Sequence, residues 1–357
     1  MLRVESYYPT KSVAELLESY AAGERDFRRL SFSHADLSHA MLAGINLEQG
    51  ELMGATLAGV DLTDANLRRA DLSVANLRGA RLRTADLRDA ILNGADLREG
   101  KLRKADLESA MLRGVNFSGA ALWEANLNGA SLTGAILKRA DLEQANLKRV
   151  DLERAVLSGA NLRQACLVRA DLGAATLDRA NLSRADLRKA NLEKAQMQGA
   201  DLRGAILEGA DLRRANLKGA KLDGAVLWGT NLGRANLNGA SLTNADMRGA
   251  TLGRVLLNEA DLEGALVKRA NLRGASLMRA NLMGANLERS DLREAKLVAA
   301  NLKNAILCHA DLLEANLTDA ILEGADADSV CLDTAVFDEN LLNELNDDIA
   351  QLRIEPD

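Results

Sequence analysis

Every fifth residue from Phe27 to Phe337 is apolar, and nearly all of these residues are leucine. The series holds 63 positions in steps of five from 27 to 337, and besides Leu it admits only Phe, Met, Val and one Ala, as at Phe117, Met197, Met247, Val267 and Ala327. Two residues before each beat stands a small residue, usually Ala, and between the two stands Asp or Asn in most units. The unit reads A-(D/N)-L-x-x. A fixed short period marks a repeat architecture and decides the fold before local propensity does. A long helix is excluded, because residues five apart sit roughly 140° apart around a helix axis and make no stripe. Glycines at the last unit position, such as Gly79, Gly94, Gly114 and Gly129, would each cost about 1 kcal/mol in a helix interior.

An extended chain fits better. Side chains alternate faces along a strand, so the Ala and the Leu two residues later point the same way. The next Ala, three residues on, points inward again only if the chain bends between units. Each unit is therefore a short extended piece plus a corner, with Gly and other permissive residues at the corner. Repeated bending in one sense coils the chain into an all-β solenoid with an Ala/Leu core, its coils stacked at about 4.8 Å.

The run Ala65-Asn66-Leu67-Arg68-Arg69-Ala70-Asp71-Leu72-Ser73-Val74 closely resembles pentapeptide-repeat proteins, and the resemblance extends over residues 26–337. It implies a right-handed quadrilateral β-helix with four pentads per coil, a number the bend argument does not supply. Four pentads per coil make about 16 coils and a rod roughly 75 Å long. The opening segment from Leu16 to Phe27 looks like the lead-in common in cyanobacterial members.

The unbroken register argues for one repeat body at 26–337, with an N-terminal helical cap at 1–25 and a C-terminal helical cap at 338–357. A solenoid exposes core and backbone edges at its ends, so caps are needed. Ser12-Val13-Ala14-Glu15 is a capping box that starts a helix predicted over 13–22. Val13, Leu16, Leu17 and Tyr20 give it an apolar face, and Gly23 ends it. Leu341, Leu345, Ile349 and Leu352 follow helical spacing and predict a second helix over about 340–352. In several members of the resembled family a C-terminal element makes a dimer, so a monomer or a homodimer through an end cap is expected.

Charge is informative once divided. Residues 1–25 hold three Lys/Arg and four Asp/Glu, residues 338–357 hold one and seven, and the totals of 45 and 51 therefore leave 41 and 40 for the repeat body, a net of +1. No stretch resembles a signal peptide or membrane span. Three cysteines, Cys166, Cys308 and Cys331, are an odd count that argues against a disulfide framework. A reducing cytoplasm is the expected compartment.

Enzyme chemistry needs a cleft with convergent groups. An interior filled by Ala and Leu leaves no room for one, and only Thr230 and Ser290 place hydroxyls at inward small positions. No catalytic residue, cofactor or metal is expected. His34, His39 and His309 fall at corners without further ligands at metal spacing. No glycine-rich loop leads into a helix, as phosphate cradling requires. Two surface features remain under twenty-residue coils. Arg154, Lys194, Arg214, Arg234 and Arg254 form a candidate anion-facing column, broken by Ala174 and flanked by Glu153 and Glu193. Ile206 and Val226 replace the usual outward Asp/Asn and stack, with Trp228 on the same face and Leu266 two coils beyond Val226. An exposed Trp is typical of interface anchors, which makes this apolar patch the preferred interaction candidate.

The reading that follows is a non-enzymatic protein-interaction scaffold or regulatory rod with a protein partner. Nucleic-acid binding is disfavoured because almost no aromatics interleave with the basic residues. The alternative comes from the resemblance: some pentapeptide-repeat proteins mimic duplex DNA and bind DNA gyrase. Mimicry requires a strongly negative surface, and the repeat body nets +1.

Overall fold

The computed structural model describes residues 9–337. The helix expected over 340–352, and with it the whole 338–357 cap, lies outside the described residues. The chain divides into two units, Met1–Thr176 and Leu177–Asp357, and the same local geometry repeats in each.

One pentad explains the rest. In residues 65–69, Asn66 N–H donates back to Ile45 O at 2.9 Å, while Leu67 and Arg69 N–H donate forward to Asp86 O at 2.7 Å and Arg88 O at 3.0 Å. Ala65 N–H closes a turn onto Leu62 O at 3.1 Å. The last donor, Arg68 N–H, has no backbone partner and takes the side-chain oxygen of Asn66 at 3.2 Å. All five backbone donors of this pentad are thereby satisfied. The Asp/Asn of the unit is thus an acceptor for the amide two residues on, an Asx-type bond. The same bond recurs at Asp61–Thr63, Asn181–Ser183 and Asn301–Lys303.

The inter-coil bonds fix what the five-residue beat leaves open. Asn66 bridges Asp86 and Asp86 bridges Asp106 in parallel in the first unit, and Asp211 bridges Asn231 and Asn231 bridges Thr251 in the second. A coil is twenty residues, or four pentads. The extended piece of each pentad shrinks to a single bridge residue among the described residues, because a turn interrupts it every five residues. The corner residue takes the left-handed conformation whether or not it is glycine: φ is +55° at Arg69, +57° at Arg154 and +60° at Arg234. That conformation costs roughly 1–2 kcal/mol for a side-chain-bearing residue, and the corner's own inter-coil N–H bond helps to offset it.

The inward Leu and Ala residues are buried along both units, with Leu67, Leu72, Leu187 and Ala70 at 0% exposure. Thr230 and Ser290 are buried among them, and each hydroxyl donates to the carbonyl three residues back at 2.7 Å. Helix α1 spans Val13–Ala21 with the capping box of Ser12 and Glu15 formed in both directions, and Gly23 follows at φ +99°. Of the expected apolar face only Leu16 is fully buried; Leu17 is 39% exposed and turns to solvent. Tyr20 instead ties the helix to the coils through a hydroxyl bond to Ala43 O at 2.8 Å, with Arg25 stacked 3.8 Å from its ring.

Candidate functional site

The apolar patch lies wholly in the second unit. Parallel bridges join Ile206 to Val226, Val226 to Asp246 and Asp246 to Leu266. Trp228, in the pentad of Val226, is 52% exposed; Ile206 and Leu266 are 36% and 40% exposed, and Val226 is half-buried. Asp246 separates Val226 from Leu266. It accepts two guanidinium bonds from Arg248, at 2.8 and 2.6 Å, and the Arg248 amide at 3.2 Å. These Arg248 bonds, opposed by partial burial, hold the Asp246 carboxyl below the usual carboxylate range. The structure therefore gathers Ile206, Val226 and Trp228 into one cluster and sets Leu266 beyond a polar bridge.

A feature that sequence reasoning missed lies beside Trp228. The corners at 209, 229 and 249 are all glycine, and a Cβ at Gly249 would lie 4.0 Å from the Trp228 indole nitrogen. No long side chain rises from these three corners to cover the ring. The signal was legible as three glycines at twenty-residue spacing. Glycine also permits close approach in the first unit, where a Cβ at Gly54 would lie 2.6 Å from His34 Nδ1.

The basic column divides between the units. Arg154 belongs to the first, where it pairs with Glu153 at 3.3 Å. Lys194, Arg214, Arg234 and Arg254 occupy successive coils of the second. Lys194 pairs with Glu193 at 3.4 Å. Among the described residues Arg214, Arg234 and Arg254 make no ion pair, so flanking carboxylates neutralise the column at Arg154 and Lys194 alone.

A second basic surface, in the first unit, escaped the sequence reading. Arg81 and Lys101 bridge in parallel and bring Arg83, Arg103 and Lys104 onto the same side. All five are exposed. The Arg103 guanidinium lies 3.9 Å from the ring centre of Trp123 on the next coil, a cation–π stack. Arg81 reaches Asp61 at 3.4 Å and Lys104 reaches Glu124 at 3.2 Å. A shallow polar hollow near α1 is lined by Lys11, Glu24, Asp26, Arg28, Arg29 and Leu30. Among the described residues no group of three or more His, Cys, Asp or Glu is placed to hold a metal ion, and no helix is long and apolar enough to cross a membrane. Cys166, Cys308 and Cys331 are free and half-buried.

The family model for pentapeptide repeats matches this chain in eight overlapping or abutting copies that together run over residues 51–333. The chain belongs to the pentapeptide-repeat family. Solved pentapeptide-repeat proteins resemble it in part. HetL from the cyanobacterium Nostoc sp. strain PCC 7120, described as involved in heterocyst differentiation regulation, is 39% identical over 67% of this chain and 96% of its own, with a TM-score of 0.26. Rfr23 from the cyanobacterium Cyanothece 51142 is 29% identical over 34% of this chain and 88% of its own, with a TM-score of 0.24. A trypsin-treated form of QnrB1, a plasmid-mediated fluoroquinolone resistance protein, is 19% identical over 65% of this chain and 97% of its own, with a TM-score of 0.25. No curated protein matches the chain.

Proposed function

We propose that this pentapeptide-repeat protein is a non-catalytic, right-handed quadrilateral β-helix that serves in the cytoplasm as a protein-binding scaffold. The observation that carries the reading is Trp228, more than half exposed beside Val226 and Ile206, next to a column of three glycine corners. An apolar aromatic held in water does little for the fold, and burial against a partner is where its area would count. The filled Ala/Leu interior supports a role confined to the outer surface.

Gyrase binding by DNA mimicry draws less support. Outward aspartates would have to stand in for phosphate rows, yet Asp86, Asp96, Asp201, Asp211, Asp246 and Asp291 are each forked by an arginine two residues on.

The test compares wild type with Trp228→Ala, and with Trp228→Ala joined to Val226→Asp, in quantitative affinity capture from the source organism. Thermal midpoints should stay within a few degrees of wild type. Capture of the specific partner should weaken about thirtyfold for Trp228→Ala. Unchanged capture by the double variant would remove this patch. Inhibition of purified gyrase at submicromolar concentration would reverse the ranking of the two readings.

A further inference from the structure

The basic side of the first unit breaks a local rule that much of the chain keeps. Where Arg stands just after the inward Leu and Asp just before it, the two form a fork inside the pentad. Asp86 accepts Arg88 N–H at 3.2 Å, Nε–H at 2.8 Å and Nη2–H at 2.5 Å. The same three-bond arrangement recurs at Asp96–Arg98, Asp201–Arg203 and Asp291–Arg293. The pattern inverts on two successive coils, where the residues before Leu82 and Leu102 are Arg81 and Lys101. Arg83 and Arg103 therefore have no carboxylate inside their own pentads. Among the described residues their backbone N–H groups make no hydrogen bond, and Arg83, Lys101 and Arg103 make no ion pair.

We infer that this side of the first unit, built from Arg81, Arg83, Lys101 and Arg103, is a docking surface for a carboxylate-rich protein segment. Each incoming carboxylate would supply what the pentad's own Asp supplies elsewhere: one acceptor for a free amide and a planar partner for a guanidinium fork. The two vacancies lie on adjacent coils, about 4.8 Å apart, so neighbouring acidic side chains of one segment can serve both. Charge complementarity adds to the fit, since no carboxylate projects from these two coils on this side and, of their five cations, only Arg81 and Lys104 pair with carboxylates of the neighbouring coils, Asp61 and Glu124. A single-stranded nucleic acid is the poorer occupant. It needs free aromatic faces for stacking, and Arg103 already covers a face of Trp123.

The experiment uses the full chain in a Trp228→Phe background, so that Trp123 is the sole tryptophan. Its emission is followed at low salt during titration with poly-L-glutamate, and separately with oligothymidylate and inorganic polyphosphate. Poly-L-glutamate should change the emission, and added salt should reverse the change. Arg81→Asp with Lys101→Asp restores the internal forks and should weaken binding at least about tenfold without lowering the unfolding midpoint. Arg83→Gln with Arg103→Gln, which leaves the core untouched, should weaken binding to a similar degree and decides the matter if the first variant misfolds. Full binding by a folded variant, no response to poly-L-glutamate, or tighter binding of oligothymidylate or polyphosphate through the same residues would overturn the assignment.

Discussion

Replacing Asn231 with alanine isolates the role assigned to the outward Asp/Asn of each pentad. Asn231 Oδ1 accepts the Gly233 amide at 3.1 Å. Gly233 has no side chain and makes no other backbone bond through that N–H, so the loss is confined to one hydrogen bond. A hydrogen bond of this kind contributes about 1 kcal/mol net. Spread over a chain of this length, that would move a thermal midpoint by only about 1–2 °C, too little to be decisive. Native-state hydrogen exchange at the Gly233 amide reads the same energy locally, and about 1 kcal/mol there is roughly a fivefold acceleration. Asn231→Asp keeps the acceptor and should leave protection near wild type. If Asn231→Asp exchanges as fast as Asn231→Ala, or if the alanine variant keeps full protection, the Asx account of the repeat is wrong.

Val74 is a β-branched residue held at φ +52° at an exposed corner; Val74→Asn should stabilise the protein by about 1 kcal/mol, read as a raised denaturant midpoint. Asp96, Asp201, Asp211, Asp246 and Asp291 are held below the usual carboxylate range chiefly by hydrogen bonds from the arginine two residues on. A depressed folded-state pKa contributes stability that is present above the ordinary carboxylate range and lost as pH falls through the folded value. The denaturant midpoint should therefore hold steady from pH 7 to about 5 and drop below about pH 4, with a smaller drop in Asp246→Asn.

The five-residue beat settled the core without help from the structure. Leu67, Leu72 and Leu77 with Ala65, Ala70 and Ala75 point inward because no regular helix or straight strand can place that spacing on one side, and a chain bending every five residues can. The capping box of Ser12 and Glu15 was legible for the same reason: its bonds join residues three apart, and the sequence displays that separation directly. Coil size was not legible in the beat itself. Leu62 and Leu82 look alike in sequence; the family resemblance implied four pentads per coil, and the inter-coil bonds, such as Leu67 N–H to Asp86 O, show that twenty residues close a turn. Everything decided by neighbours twenty residues apart followed from that number. It gathered the glycine corners beside Trp228 and set Arg103 against Trp123. The packing of α1 was equally hidden: Leu17 turns to solvent while Tyr20 secures the helix, because helical periodicity gives an apolar face and only the packing partner determines how much of it is covered. The sequence determined which residues face inward, since that depends on local chain geometry; the tertiary structure decided which outward residues meet, since that depends on bonds between coils.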